Sequence, residues 1–530
     1  MKKIIAILAA ALPLFGCGGR PDAAALISID EMKRVTKTLS SDEFMGRMPF
    51  TIGETLSINY LAQELQSIGF EPPFSGSYFQ AVPMVKVASQ VQGAAVFNVA
   101  GEKIVLEAPD EIAVNSPQTA EEIKLEKSAI VFAGFGIDAP DYGWNDFEGI
   151  DLKGKTVVVL INDPGLYTGD SALFRGREMT YYGRWTYKYE EAARKGASAI
   201  LIIHEPMGAG YEFNVPRSSS ISPRLFIDDE GKTQRCMATG WLTARSAEKI
   251  FGKLGYNIDS LRARAAVKGF KPIELNATFS VNIKNTIKRE ISTNVAGILR
   301  GSETPDEAVV ITAHWDHFGV GEPQNGDSIY NGAVDNGTTM AWALEIGRAF
   351  SKLGKRQEKS IILLFPTAEE QGLTGSEYYT EHPIVPMNKT IACLNNDMMV
   401  PRGRMMDITM IGYGYSTLDS LYEVAAAKRG RYLLPDPNSH TGLFFRSDHF
   451  PFFRKGVPSI WAYGCYDSRE HGKQWALDTW NEFIKNVYHR PADNYNPNWD
   501  WSGIAEDTEI AFEIVYELTS GKGFKPVLKK

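Results

Sequence analysis

Cysteine is scarce in this chain, with 4 in 530 residues. Beyond the N-terminus there are three, Cys236, Cys393 and Cys465, and an odd number at wide spacing predicts no disulfide framework. Cys393 lies inside the apolar segment TIACLNND, where we expect a buried free thiol. The chain is therefore not a small disulfide-stapled domain, and its stability must come from ordinary hydrophobic cores.

Clustered positive charge is also missing beyond the N-terminus. The 56 Lys and Arg are outnumbered by 64 Asp and Glu, which gives a net charge of −8. Because binding to phosphate backbones depends on grouped Lys and Arg, we expect no nucleic-acid partner. A hydrophobic content of 44% without low-complexity segments is typical of a globular protein, and 530 residues predict at least two domains.

The N-terminal apolar run, residues 4–15, is too short to cross a bilayer, which takes about 20 residues. It follows two lysines and ends at Gly16 and Cys17, a pattern typical of an export signal. The sequence LFGC resembles a bacterial lipobox. We predict a signal peptide with lipobox at 1–17 and a flexible tether at 18–27. A lipid on Cys17 would anchor the exported protein in the bacterial cell envelope, at a periplasmic or outer-membrane face. An ordinary signal peptide that ends near a cysteine is the alternative.

The segments that follow differ in their periodicity. An apolar helical face is predicted at Ile58, Leu61, Leu65 and Ile68, and Gly69 ends that helix. Residues 128–290 contain short β-rich runs separated by turn residues, and His204 is the one histidine among them. A segment so poor in reactive side chains indicates an inserted accessory domain.

Strands alternate with helices in the C-terminal half. EAVVITAH, SIILLFPT, TIACLNND and VPSIWAY are predicted strands, and NGTTMAWALEIGRAFSKLG is a predicted helix. This alternation predicts an α/β fold with a mixed, largely parallel central sheet flanked by helices. In such sheets, ligands bind beyond the carboxyl ends of the strands.

Side chains that can bind metals follow these predicted strands. Each has a plainer explanation when taken alone: a helix cap, a core histidine, a turn former or a solvated loop. Together at the ends of one sheet, imidazoles and carboxylates are a ligand set suited to zinc or a similar divalent ion. The residues concerned are His314, Asp316, His317, Asp335, Glu369, Glu370, Asp397, His489 and Asp493.

The motifs AHWDH, NGAVDNG, AEEQGLTGS, NND and YHRPAD occur in this order within residues 294–500. This part of the chain resembles the catalytic domain of the M28 family of zinc peptidases. Residues 128–290 resemble a protease-associated (PA) domain, which is inserted in some of these peptidases. The resemblance implies a zinc-peptidase α/β/α sandwich whose catalytic domain is made of residues 28–127, its N-terminal part, and residues 291–530, its main part.

The resemblance also implies a set of ligands for two zinc ions, with Asp335 as the bridge. One ion would also bind His314 and Asp397, and the other Glu370 and His489. On this interpretation the two adjacent glutamates have different roles, because metal binding neutralises Glu370.

By the same resemblance, Glu369 would be the general base that acts on a water bridging the two metals. Asp316 would lie behind His314 and hold its tautomer. His317 is expected to be structural or to act behind a ligand, and Asp493 is expected to support His489.

Substrate contacts are predicted at three further residues. Tyr488 would hydrogen-bond the oxyanion, as a tyrosine does at the matching place in some relatives. Asp448 and His449 lie in a stretch that recurs in relatives near the substrate pocket, with a structural role as the alternative for His449. Arg402 and Arg404 are interpreted as a solvated basic loop, the alternative being contact with a substrate carboxylate.

The predicted function is an exported two-zinc metallopeptidase, an aminopeptidase acting on peptides, with the PA domain shaping or gating access to the pocket. A glutaminyl cyclase-like enzyme with a single zinc and a carboxypeptidase are alternatives on the same fold. A receptor-like binding protein is a third alternative, although such relatives have lost metal ligands. The oligomeric state is left open.

Overall fold

A computed structural model describes residues 21–521 and 523–529. The predicted signal peptide and Cys17 lie outside these residues. Within them, no helix is both long and apolar enough to cross a membrane. The predicted tether at 18–27 overlaps a folded segment, because Ala23–Leu26 form a helical turn on which Ala23 is buried. From residue 23 onward the chain is packed against the domain.

The strands of the described residues are numbered in chain order: β1 (Phe79–Val91), β2 (Ala95–Val99), β3 (Glu102–Leu106), β4 (Ile112–Asn115), β5 (Glu122–Phe132), β6 (Asp138–Ala139), β7 (Trp144–Asn145), β8 (Thr156–Leu160), β9 (Ala199–Ile203), β10 (Arg224–Ile227), β11 (Ala238–Leu242), β12 (Ile273–Leu299), β13 (Thr304–Thr312), β14 (Gly319–Gln324), β15 (Asp327–Tyr330), β16 (Lys359–Phe365), β17 (Thr390–Asn395), β18 (Asp407–Ile411), β19 (Tyr432–Pro435) and β20 (Ser459–Tyr463).

The α-helices are numbered in the same way: α1 (Ala23–Leu26), α2 (Ile29–Leu39), α3 (Ile52–Ser67), α4 (Pro164–Thr168), α5 (Trp185–Arg194), α6 (Pro206–Ala209), α7 (Asn214–Ile221), α8 (Ala244–Lys253), α9 (Ile258–Ala265), α10 (Thr339–Lys352), α11 (Thr374–Glu381), α12 (Leu418–Ala427), α13 (His449–Arg454), α14 (Gly472–Asn486) and α15 (Ser502–Thr519). A distorted helical turn at Ala333–Thr338 precedes α10.

The part of the sheet with the strand order β19-β18-β20-β17-β13-β16-β12 is called the catalytic half after its predicted role, and strands β2–β11 with the helices between them are called the accessory half. The pairs β20/β17, β17/β13 and β13/β16 are parallel, whereas β12 and β18 each add an antiparallel neighbour. Strand β16 is wholly buried, β17 is almost wholly buried, and β13 is buried over its last five residues, as central parallel strands are when helices cover both faces of a sheet. The predicted mixed, largely parallel α/β sheet is confirmed.

The 27-residue strand β12 joins the two halves of the molecule. Its last residues pair with β16 of the catalytic half, and its first residues pair with β2 and β5 of the accessory half. Strand β1 runs antiparallel to its middle part. The accessory half has its own apolar core, which includes β2–β4 as well as the strands after residue 128. The predicted domain boundaries stay predictions.

Candidate metal centre and active-site cleft

The sheet brings several of the predicted ligands to one edge. Strands β13, β16 and β17 are parallel neighbours. Their carboxyl ends are followed by His314, by Glu369 and Glu370, and by Asp397, respectively. Because the strands run in the same direction, these side chains meet at the same end of the sheet.

Asp335 and His489 reach this edge from outside the strands. Asp335 lies in the turn Ala333–Thr338, and His489 follows α14 with a left-handed φ of 55°. One oxygen of Asp335, Oδ1, lies 3.4 Å from Nε2 of His314. Its other oxygen, Oδ2, lies 3.1 Å from Nε2 of His489. The carboxylate of Asp335 therefore stands between the two imidazoles.

Each imidazole has a second carboxylate beside it. Nε2 of His314 is 3.4 Å from Oδ1 of Asp397, and Nε2 of His489 is 3.3 Å from Oε2 of Glu370. Glu369 approaches as well, with Oε2 at 3.9 Å from Nε2 of His314. The five predicted ligands are thus brought together, and Glu369 lies beside them.

Two groups of three residues have possible ligand atoms within 4.8 Å of one another. Their membership differs in part from the two predicted metal sites. His314 is grouped with Asp335 and Glu370, and separately with Glu369 and Asp397. Glu370 therefore approaches the His314 group as well as His489. The cluster is tight enough for ions on either side of Asp335 to share its ligands.

The electrostatics of this cluster fit a bound cation. Burial above all, together with the neighbouring carboxylates, holds the pKa of Glu369 and that of Glu370 well above the usual range. Although burial acts in the opposite direction, the charges of Glu369 and Asp397 hold the pKa of His314 well above its ordinary value. Oδ1 of Asp335 is buried and has no hydrogen-bond partner among the residues that the structure describes. Carboxylates gathered out of water need compensating positive charge, which divalent ions supply.

Asp316 supports both His314 and the glutamate loop. Its backbone carbonyl accepts a hydrogen bond from Nδ1 of His314 at 3.1 Å, whereas its carboxylate is 3.9 Å from that nitrogen. Oδ1 of the carboxylate accepts from the backbone N–H of Glu369 at 3.0 Å. The atom that orients the imidazole is therefore the carbonyl, and the carboxylate orients the loop that carries the two glutamates.

Asp493 does not support His489 as expected. Its two carboxylate oxygens accept from the backbone N–H groups of Val334 and Asp335, at 2.9 and 3.0 Å. Asp493 therefore fixes the turn that presents Asp335. Its sequence position gave no signal of this, because the two residues are 158 positions apart.

His317 and Ser447 orient two of the predicted ligands. Burial lowers the pKa of His317 to about 4, so its ring is neutral, and Nδ1 donates to Oε1 of Glu370 at 2.7 Å. His317 therefore contacts Glu370, which is a predicted ligand. Ser447, which sequence reasoning missed, donates to Oδ2 of Asp397 at 3.0 Å.

Arg47 is the most extensively bonded residue that sequence reasoning missed. It is fully buried, and its guanidinium donates over 2.5 to 3.2 Å to five backbone carbonyls, those of Leu39, Trp315, Asn331, Gly332 and Asp335. Burial lowers its pKa to about 10, against the attraction of Asp335 and other nearby carboxylates, so it stays charged at neutral pH. Arg47 ties the loop after β13 to the turn that carries Asp335.

Gly332 makes this arrangement possible. Its φ of +56° favours glycine, and a Cβ on it would lie only 2.7 Å from Nη2 of Arg47 and from Cδ2 of His317. The turn, Arg47 and the histidine loop can approach one another this closely only because position 332 has no side chain.

Replacing Arg47 by Met should lower the free energy of unfolding of the catalytic half by about 3 to 5 kcal/mol, because five carbonyls lose a charged donor inside the protein. Urea unfolding measures the change. The matched control is Arg300→Met, which removes an arginine with a 46% exposed side chain that pairs with Glu71 at 3.0 Å and should cost less than about 1 kcal/mol. Equal losses in the two variants would contradict the role of Arg47.

The predicted substrate-contact residues do not all line the cleft. Tyr488 does, and its ring stacks on that of His489 with the centroids 3.7 Å apart. Asp448 and His449 are fully buried and lie beneath the centre, where His449 packs against the rings of Phe444 and Trp461. With no accessible surface, neither of these two can touch a substrate, so the structural alternative holds for His449.

Of the two arginines in the predicted basic loop, one is exposed to solvent and the other is half-buried. Arg404 is exposed. Arg402 is half-buried, and its guanidinium donates to the carbonyls of Ala476 and Cys465 and to the hydroxyl of Thr479. These bonds use Nη1 and Nη2, so Arg402 anchors α14 to the loop that carries Cys465.

The centre opens into a cleft of about 840 Å³, a volume typical of small-molecule and short-peptide sites. One wall belongs to the catalytic half and includes Asp335, Asp397 and His489. The accessory half contributes the opposite wall, with residues such as Trp185 and Phe226. A substrate at the centre would therefore contact both halves.

Comparisons relate this arrangement to known proteins. Residues 294–515 match Peptidase family M28. "Aminopeptidase NAALADL1" of Mus musculus is 33% identical over 140 residues, which are 25% of this chain and 17% of that protein. "Transferrin receptor protein 1" of Gallus gallus is 23% identical over 458 residues, 82% of this chain and 54% of that protein.

Among solved structures, the "Aminopeptidase from Aneurinibacillus sp. strain AM-1" is similar over 96% of this chain and 97% of its own, with 18% identity and a TM-score of 0.47. The chain spans at most about half the length of the curated relatives just described, 17% of one and 54% of the other.

Proposed function

We propose that the chain is a two-zinc peptidase that removes N-terminal residues from peptides, on the premise that residues 294–515 match Peptidase family M28. The observation that carries the proposal is the position of Asp335 between His314 and His489, 3.4 and 3.1 Å from their Nε2 atoms. A carboxylate between two imidazoles, each with a further carboxylate beside it, is suited to bridging two zinc ions.

Five residues would hold the metals: Asp335 as the bridge, His314 and Asp397 on one side, and Glu370 and His489 on the other. When bound, the ions would supply Lewis acidity for the scissile carbonyl and lower the pKa of a water molecule.

Glu369 is the general base in this proposal. It lies beside the ligands without being needed as one, with Oε2 3.9 Å from Nε2 of His314. Its carboxylate would take a proton from the attacking water and return it to the leaving amine. The N–H of Glu369 is held by Asp316, which keeps the side chain aimed into the cleft.

The name of a relative supports an aminopeptidase: Aminopeptidase NAALADL1 of Mus musculus is 33% identical over 140 residues. The carboxylates of Glu370 and Asp397 do not decide the direction of cleavage, because bound metal would neutralise them. Mass spectrometry of a digested model peptide tests the direction of cleavage: loss of residues from the amino end supports the proposal, and loss from the carboxyl end would replace it by a carboxypeptidase.

Metal content tests the centre itself. Plasma mass spectrometry on the chain purified without chelator should find about two zinc ions per chain. Chelation should remove peptidase activity, and added zinc should restore it. About one ion would favour the single-zinc cyclase alternative and call for an N-terminal glutamine substrate. No ion after adding zinc would favour a receptor-like binding protein.

We also propose that the chain is exported and anchored to the cell envelope through a lipid on Cys17, as its N-terminal sequence predicts. The accessory half is proposed to be a PA domain that narrows access to the cleft, which its residues along one wall support. Metabolic labelling with palmitate tests the anchor: incorporation should disappear in a Cys17→Ser variant.

A further inference from the structure

Two arginines face the cleft without an ion pair to any described carboxylate, although the charges of Arg446 and Asp436 act on each other. Arg184, just before α5 in the accessory half, has only 7% of its surface exposed, and its Nε has no hydrogen-bond partner in residues 21–521 and 523–529. Arg446 of the catalytic half is half-buried, and its Nε has no partner in the same residues. Its Nη2 donates to the carbonyl of Thr441. Among the described residues, no carboxylate forms an ion pair with either guanidinium.

The two guanidinium groups are close enough to repel each other. Burial, and then the charge of Arg446, lower the pKa of Arg184 to about 9. The other groups that act on Arg184 are the hydroxyls of Tyr181 and Tyr211, and the ring of Tyr211 lies 5.7 Å from the guanidinium carbon of Arg446. Like charges held together in a largely buried wall are costly unless an anion joins them.

Glycines lie against both arginines, where a larger residue would contact the arginine side chain closely. Gly442 has a φ of +69°, and a Cβ on it would lie 3.2 Å from Cδ of Arg184. Gly210 has a φ of +79°, and a Cβ there would lie 3.4 Å from Nη2 of Arg446. Each arginine therefore lies against a glycine from the opposite half of the molecule, so the pair spans the boundary between the two halves.

Two other arginines of the cleft are different, because they are paired with carboxylates. Arg454 pairs with Glu190 at 3.2 Å, and Arg235 lies 3.7 Å from Asp229. Arg224 also lines the cleft and forms no ion pair among the described residues, and its guanidinium carbon lies over the rings of Trp185 and Phe226. Arg184 and Arg446 differ from Arg224 in that the charge of one acts on the other.

We propose that Arg184 and Arg446 together bind a carboxylate of the substrate, so that the enzyme selects short peptides carrying a negative charge away from the reacting amino end. The inference rests on the proposed function, because it places a peptide in this cleft. The carboxylate comes either from the C-terminus of the peptide or from an acidic side chain. Planar guanidinium groups bind carboxylates through paired, charge-assisted hydrogen bonds, which are stronger than neutral ones.

The test measures binding, by calorimetry, to the full zinc-loaded chain carrying Glu369→Gln, in which a peptide is not cleaved. Three probes are compared: Leu-Ala-Ala as the free acid, the same peptide as the C-terminal carboxamide, and the carboxamide of Leu-Glu-Ala. We expect the free acid or the glutamyl peptide to bind at least about tenfold more tightly than the uncharged carboxamide. Whichever of the two charged peptides binds more tightly than the uncharged carboxamide identifies the carboxylate that is recognised.

Arg184→Met and Arg446→Met, each added to that chain, should reduce this ratio to about one, mainly by weakening the charged peptide. The matched control is Arg454→Met, which removes a cleft arginine with its own partner and should keep the ratio. Arg446 is half-buried, so Arg446→Met should disturb folding less than Arg184→Met. It can test the inference alone if Arg184→Met does not fold. Equal binding of all three probes, or an unchanged ratio in the variants, would overturn the inference.

Hydrolysis by the unaltered chain separates this inference from the proposed function. Cleavage of the charged and uncharged peptides with equal kcat/KM would overturn the inference and leave the peptidase intact. Discrimination in binding without cleavage of any probe would support the carboxylate site and contradict the peptidase.

Discussion

Replacing Glu369 by Gln should lower kcat for peptide hydrolysis by about 10³-fold while leaving the metal content unchanged. General acid–base catalysis contributes factors of about 10² to 10⁴, and an amide cannot take a proton from water. Gln has nearly the shape of Glu, and the backbone N–H of residue 369 keeps its bond to Asp316, so the loop should not move. Steady-state kinetics and plasma mass spectrometry on the same preparation measure both quantities.

The control for this change is Glu381→Gln. Glu381 lines the same cleft but is exposed and ion-paired with Lys455. Its replacement should leave kcat within about twofold, because surface ion pairs contribute little. If Glu369→Gln lost metal while Glu370→Gln kept it, the roles of the two glutamates would have to be exchanged.

The adjacent glutamates illustrate what a sequence can predict. They follow β16, and the strand pattern around them was regular enough to place them at the edge of the sheet, together with His314 and Asp397. Strand ends carry this information because each strand is marked by its own apolar run and because parallel neighbours end on the same side. The fold class and the ligand cluster could both be anticipated on this basis.

The residues that hold the ligands in place could not be anticipated. Arg47 contacts the carbonyl of Asp335 across 288 positions, and Ser447 contacts Asp397 across 50. Such contacts have no period and no local motif, since they depend on which loops the finished sheet brings together. For the same reason Asp493 was assigned to its sequence neighbour His489, whereas its carboxylate bonds to the turn before α10.

Residues that are adjacent in sequence can also differ in whether they reach the cleft, and the sequence pattern does not show this difference. Asp448 and His449 lie next to cleft-lining Phe450 in sequence, yet both are fully buried. A run of aromatic and charged residues does not reveal which members face the cleft. The pairing of Arg184 with Arg446 could not be predicted from the sequence for a related reason. The two residues belong to different halves of the molecule and are more than 200 positions apart in the sequence.

Replacing Asp335 by Ala should remove both metal ions, lowering the content from about two per chain to nearly none, and abolish peptidase activity with it. Asp335 lies 3.4 and 3.1 Å from the Nε2 atoms of the two histidines, so its loss takes a ligand from each proposed site. It also leaves two imidazoles and three carboxylates without the group that joins them, and each remaining site keeps only two of its protein ligands.

Asp397→Ala provides the comparison, because Asp397 lies beside His314 and belongs to one site only. About one ion per chain should remain in this variant. Asp335→Ala and Asp397→Ala should therefore differ in the number of bound ions even if both are inactive. This difference distinguishes a ligand that bridges two ions from a ligand that binds one. Retention of one fully occupied site after Asp335→Ala would show that the carboxylate serves a single ion. The remaining imidazole and carboxylate pair would then bind a metal without it, and the two-metal centre would have to be rebuilt around the shared position of Glu370.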